Sequence, residues 1–160
     1  MTTTVRLKEL GIELTSPQTP IGNFANFSRT GNLIFISGQG PVDSHGQLQK
    51  GKVGSDVDVQ TAYEHARLIA INLLSVLKAS IGTLDRVKSV IKIVGFVNAI
   101  PEFERHPEVI NGCSDLLVEI LGERGVHARS SVGVGSLPNN ISVEIEAVVE
   151  VYDDEAFHHD

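Results

Sequence analysis

The chain of 160 residues reads as a single α+β domain of ββαβαββ order, a mixed sheet with two helices packed on one of its faces. Three observations lead there. Short β-rich runs open and close the sequence, two segments between them repeat apolar residues at helical spacing, and a long β-branched run separates those two segments. Neither an internal repeat nor a linker divides the chain, so residues 1–160 form one domain with its core at about 20–151.

Residues 23–37 carry the first two strands as a hairpin, NFANFS and LIFIS around the turn signal Arg29-Thr30-Gly31-Asn32. Alternation sets Leu33, Phe35 and Ser37 on one face and Ile34 and Ile36 on the other, and a strand apolar on both faces belongs inside a sheet. Gly38-Gln39-Gly40-Pro41 ends it. Residues 43–58, rich in Gly, Ser, Asp and Gln, form the longest irregular stretch and are placed as a loop able to cover a site.

From Val59 to about Ser80, apolar residues at Val59, Ala62, Ala66, Ile69, Leu73, Val76 and Leu77 line one face of a helix. Asp56 or Asp58 caps its start and Gly82 ends it. VKSVIKIVGFVNA (87–99) is a long strand with Lys88 and Lys92 on one face, stopped by Pro101. A second helix spans about Pro107 to Leu121, with Gly122 near its C-cap. RSSVGVGSL and ISVEIEAVVEVY are the last strands, joined by Pro138-Asn139-Asn140. In the final strand Ile141, Val143, Ile145, Ala147, Val149 and Val151 share a face the helices can bury. Ser142, Glu144, Glu146, Val148 and Glu150 share the other, which faces water or a subunit junction.

Composition excludes several classes. Net charge is −7, from 13 Lys and Arg against 20 Asp and Glu, and aromatics are 5% with no Trp, which disfavours a polyanion partner. No apolar run reaches the roughly 20 residues of a membrane span, and the N-terminus lacks the apolar stretch of a secretory signal, so the expected compartment is the cytoplasm. The single cysteine, Cys113, allows neither an internal disulfide nor a cysteine metal cage, and its mid-helix position reads as core. The tail from Asp153 to Asp160 is expected to fray, leaving His158 and His159 without a metal role. His65 reads as a surface residue and His106 as the residue that starts a helix.

Arg129 stands out. Alternation places Arg129, Ser131, Gly133 and Gly135 on one strand face, where a guanidinium among small neighbours can bind a carboxylate through its planar fork. The other reading is an ordinary cross-strand ion pair with Glu144 or Glu146.

Pro20-Ile21-Gly22, Ile36-Ser37-Gly38-Gln39, Asn111, Ala128-Arg129-Ser130, Leu137-Pro138 and Glu144-Ile145-Glu146-Ala147, in this order and spacing, resemble the RidA (YjgF) superfamily. Within it, the chain resembles the YjgF/chorismate mutase-like endoribonuclease (L-PSP) branch. The resemblance implies a chorismate-mutase-like fold, a homotrimer with sites at subunit junctions, a small carboxylate substrate, and no cofactor. It further implies hydrolysis of 2-imino or enamine acids to 2-keto acids and ammonia. Arg129 would bind the carboxylate and Glu144 would position the attacking water, with Ser37, Gly38, Asn111, Phe24, His127 and Ser131 lining the site. Three residues depart from the family pattern: Phe24 replaces a tyrosine, His127 a proline, and Ser131 a cysteine. His127 thereby adds a titratable group. A non-catalytic carboxylate-binding regulatory trimer is the competing expectation, and ribonuclease activity the weaker one.

Overall fold

The computed structural model describes residues 1–154. Its elements run α1 (Thr3–Glu9), β1 (Phe27–Thr30), β2 (Leu33–Gln39), α2 (Val59–Ile81), β3 (Val87–Asn98), α3 (His106–Leu121), β4 (Ala128–Val134) and β5 (Val143–Val151). The strands form one mixed sheet in the order β1-β2-β5-β3-β4, antiparallel except for the β3–β4 pair. The α+β architecture with two long helices on one sheet face is therefore as expected, with α1 added.

The hairpin closes more tightly than the sequence suggests. Thr30 pairs directly with Leu33, so the turn is Gly31-Asn32, with Gly31 at φ 54°, and residues 23–26 lie outside β1. β2 is internal, between β1 and β5, because Ile34 and Ile36 face the helices while Leu33, Phe35 and Ser37 face outward. The Asp58 carboxylate, not that of Asp56, caps α2 by accepting from the Thr61 amide at 2.7 Å. Asp56 instead accepts from the Lys52 amide within the preceding loop.

The largest correction concerns the last two strands. They are not a hairpin: β4 is an edge strand parallel to β3, and β5 crosses back to insert between β2 and β3. The ion pair of Arg129 with Glu144 or Glu146 is thereby ruled out, since β3 separates their strands. Alternation alone could not show this, because it gives a strand's two faces but not its neighbours.

The helices bury one face completely. Ile93, Val97, Val143, Ile145 and Val149 are at most 1% exposed beneath α2 and α3. Two glycines set the approach: a Cβ on Gly95 would fall 2.6 Å from Ile110 Cγ1, and one on Gly112 within 2.8 Å of the Tyr63 carbonyl carbon. Cys113 is buried in this core, and burial pushes its thiol up to about 12, so it is no nucleophile.

One histidine differs from expectation, and a second does more than expected. His65 is buried rather than superficial, with Nδ1 2.7 Å from the Ser142 hydroxyl, and burial holds its basicity down. His106 begins α3 as expected, but its ring also fills the space above Gly133 and packs edge-on against Phe103. The face of β4 carrying Arg129 is thus covered by α3, not open.

α1 escaped the sequence reading because only Thr3 and Leu7 of its seven residues are buried, too few to display a period. Tertiary bonds hold it: the Thr3 amide donates to Asp85, and Arg124 donates to the Thr3 hydroxyl. At the other end Asp154 pairs with Arg86. His158, His159 and the rest of the tail from 155 lie outside the described residues.

The loop at 43–58 is partly core. Val53 and Val57 are buried, and the Lys52 ammonium donates to Asn98 and to the Gly135 carbonyl, tying the loop to the strand ends. Gly54, Ser55, Val57 and Asp58 wall an open cleft of about 770 Å³ with Tyr63, Phe103, Arg105 and Asn111. No helix among the described residues is long and apolar enough to cross a membrane.

Candidate active site

The expected site residues fall into two groups on opposite faces of the sheet. The first lies at the β4 edge under α3. Parallel pairing matches Ile93 with Arg129 and Gly95 with Ser131, so both side chains share the helix-covered face with Ile93. The Arg129 guanidinium donates from Nη1 to the Ser114 hydroxyl at 2.9 Å and from Nη2 to the Pro107 carbonyl at 3.2 Å. Both acceptors belong to α3, which therefore fixes the plane of the fork. His127 joins the group through Ser114, its Nε2 lying 2.9 Å from that hydroxyl. The Ser131 hydroxyl is buried here without a hydrogen-bond partner among the described residues. An unpaired hydroxyl beside a cation is a place where a polar ligand atom would be welcome.

The second group occupies the outer face around β2 and β5. Glu144 pairs in register with Phe96 on that face, half-buried. A bulge in β2 between Ile36 and Gln39 displaces Ser37-Gly38 relative to β5 and makes room for its carboxyl group. The fit is close: a Cβ on Gly38 would stand 2.9 Å from Glu144 Cδ, so a larger residue there would displace the carboxyl group. The Ser37 hydroxyl donates to the Ala25 carbonyl at 2.7 Å, fastening the segment that presents Phe24, itself 53% exposed. Desolvation, and then the neighbouring Glu146, raise the Glu144 carboxyl above the ordinary glutamate value.

That shift has a measurable consequence. The native Glu144 carboxyl holds its proton more tightly than in the unfolded chain, so native protein binds more protons from about the ordinary value of 4.5 upward. Stability then falls as pH rises through that window. Glu144→Gln is expected to raise Tm at pH 7 and to leave it unchanged at pH 3, where both side chains are neutral. An equal gain at both pH values, read by thermal denaturation, would assign the effect to packing instead.

Asn111 joins neither group's hydrogen bonds. It lines the cleft between the starts of α2 and α3, beside Tyr63, whose hydroxyl donates to Asp115. Ser114 was not singled out from the sequence. Its one signal is a hydroxyl within a helix whose neighbours Val109, Ile110, Cys113, Leu116 and Leu117 are all buried.

A five-stranded mixed sheet with helices on one face, an arginine at its parallel edge and a glutamate on its bare face define a chorismate-mutase-like α+β protein. The family model described as "YjgF/chorismate mutase-like, putative endoribonuclease" matches residues 4–151, and the chain belongs to this family, within the RidA superfamily. Protein TCP17 of Trypanosoma cruzi is 38% identical over 146 residues, covering 91% of each chain. The crystal structure of Atu1372, a protein of unknown function from Agrobacterium tumefaciens, is 46% identical with a TM-score of 0.87, covering 95% of this chain and 94% of its own. At greater distance, TdcF of E. coli, solved with bound serine, is 25% identical with a TM-score of 0.61, covering 86% of this chain and 94% of its own.

Proposed function

We propose that the protein hydrolyses reactive 2-imino and enamine acids to 2-keto acids and ammonia, at sites each assembled from two copies of the chain in a homotrimer. The observation that carries this reading is the division of the site. Arg129 with Ser131 lies under α3, and Glu144 with Ser37 and Gly38 lies on the opposite sheet face, so one chain cannot bring them to the same substrate. The β4 edge of one copy set against the bare face of the next unites them. Such a head-to-tail contact closes into a ring when the rotation permits. The bare face suits burial, since Phe35 is 45% and Val132 43% exposed on it.

In this site the Arg129 fork takes the substrate carboxylate and fixes the imine carbon. Glu144, its basicity raised, accepts a proton from water as the water oxygen bonds to that carbon and the C=N π electrons move to nitrogen, which then takes that proton from Glu144. In the resulting aminoalcohol the hydroxyl proton passes by way of Glu144 to the amine, and the C–N bond breaks with its electron pair on nitrogen, releasing ammonia and leaving the 2-keto acid. Bound serine in TdcF supports a small α-carboxylate as the ligand class. Cofactor chemistry has no place in these steps.

The second reading, a carboxylate-binding regulatory trimer without turnover, is favoured by one residue: Phe24 supplies no hydroxyl beside the Glu144 face. Ribonuclease activity gains little, because both ring nitrogens of His127 are already engaged within the chain. The test is imine decay. 2-Imino acids made from L-amino acids by an amino-acid oxidase are trapped with semicarbazide, and wild-type protein is expected to reduce the trapped fraction. Undiminished trapping with every imine, from folded protein that still binds 2-keto acids, would favour the regulatory reading.

A further inference from the structure

We infer that Ser114 and His127 are positioning residues for Arg129, a device that sets the guanidinium plane for its carboxylate; the inference rests on the proposed function. The hydrogen-bond directions follow from chemistry. His127 Nδ1 lies 2.6 Å from the Gly125 carbonyl oxygen, which can only accept, so Nδ1 carries the hydrogen. In the neutral ring Nε2 is then bare and accepts the Ser114 O–H across 2.9 Å. With its hydrogen committed to His127, the Ser114 oxygen turns a lone pair to Arg129 Nη1.

The chain of bonds starts from a fixed point. Gly125 is buried against α3, where a Cβ would fall 2.7 Å from the Leu117 carbonyl carbon, so its own carbonyl has little freedom. Each link thus restrains the next: Gly125 holds the ring, the ring holds the hydroxyl, and the hydroxyl with Pro107 holds the guanidinium. Among the described residues these two bonds use two of the five guanidinium N–H groups, leaving three to meet a carboxylate. His127 therefore acts on Arg129 rather than on the substrate. It serves as a hydrogen-bond acceptor, not as the extra acid or base that its titratable ring suggests.

The experiment measures binding of 2-oxobutanoate by titration calorimetry, and KM and kcat by imine decay, across a set of variants. Ser114→Ala is expected to raise Kd and KM roughly tenfold, the effect of one hydrogen bond to a charged group, with kcat within about twofold. Ser114→Thr, which keeps the hydroxyl, restores binding. His127→Phe reproduces the loss, whereas His127→Gln, whose amide oxygen can accept, restores most of it. The double variant Ser114→Ala/His127→Phe binds no more weakly than the worse single one, because both break the same chain. A purely structural role would lower Tm and leave Kd alone, and that result overturns the inference. So does unchanged binding by Ser114→Ala when Arg129→Ala has lost it, an outcome that leaves the proposed function standing. Unchanged binding by Arg129→Ala overturns both. Should the variants fail to fold, ¹⁵N NMR of the wild type decides: a neutral His127 protonated at Nε2 contradicts the assignment.

Discussion

Arg129→Ala is expected to lower kcat/KM for imine hydrolysis by two to three orders of magnitude while the fold and assembly persist. The variant loses the cation that the proposed site offers to the substrate carboxylate, and removing one partner of a desolvated, hydrogen-bonded charge pair costs roughly 3–4 kcal/mol. The protein itself loses little, since the bonds to Ser114 and Pro107 come from a half-buried side chain at a sheet edge. Arg129→Lys is expected to recover only a small part of the rate. An ammonium keeps the charge but cannot reach Ser114, Pro107 and both carboxylate oxygens with one planar fork. Steady-state imine-decay kinetics with size-exclusion chromatography check the prediction, and a rate unchanged in Arg129→Ala would contradict it.

Gly112→Val is expected to prevent stable folding, and Gly112→Ala to cost several kcal/mol. On helix propensity alone, alanine in place of a mid-helix glycine gains about 1 kcal/mol. Here the gain is overwhelmed, because the new Cβ would press into the Tyr63 carbonyl on α2 and also stand 3.1 Å from Ala66 Cβ. Backbone cannot rotate aside as a flexible side chain can, so α2 and α3 must separate and expose the core they share. Gly82→Ala is no control for this effect, since its φ of 84° strains any side chain. Urea denaturation followed by circular dichroism gives the answer; a Gly112→Ala variant as stable as wild type would show that the helices can shift apart freely.

The sheet's two faces were legible in the sequence because β2 and β5 alternate cleanly. Ile34 and Ile36 were separated from Leu33, Phe35 and Ser37, and Val143 to Val151 by twos were given to the helices; both sets are buried on the helix side. β3 was legible as a strand, yet its two irregularities, at Val87/Ser89 and Val90/Lys92, were not, since an inserted residue only shifts the phase of a pattern rich in β-branched residues. Strand order was hidden for a different reason. The short connection between β4 and β5 suggested a hairpin, whereas β4 pairs with β3 through Gly95 and Gly133, whose small size admits α3. At the candidate site, Arg129 was legible because a charged group among glycines and serines is unusual on a strand. Ser114 was not, since a helical serine usually bonds its own backbone or water, and only the fold brings His127 and Arg129 to it.

The division of the site between two chains is tested most directly by complementation. Arg129→Ala and Glu144→Gln, each inactive alone, are unfolded together, refolded as a one-to-one mixture and assayed for imine decay. If each site takes Arg129 from one copy and Glu144 from the next, random mixing gives about a quarter of the sites both intact residues, and about a quarter of wild-type activity returns. A mixture as inactive as its components, from properly assembled protein, would contradict a site built across the subunit junction.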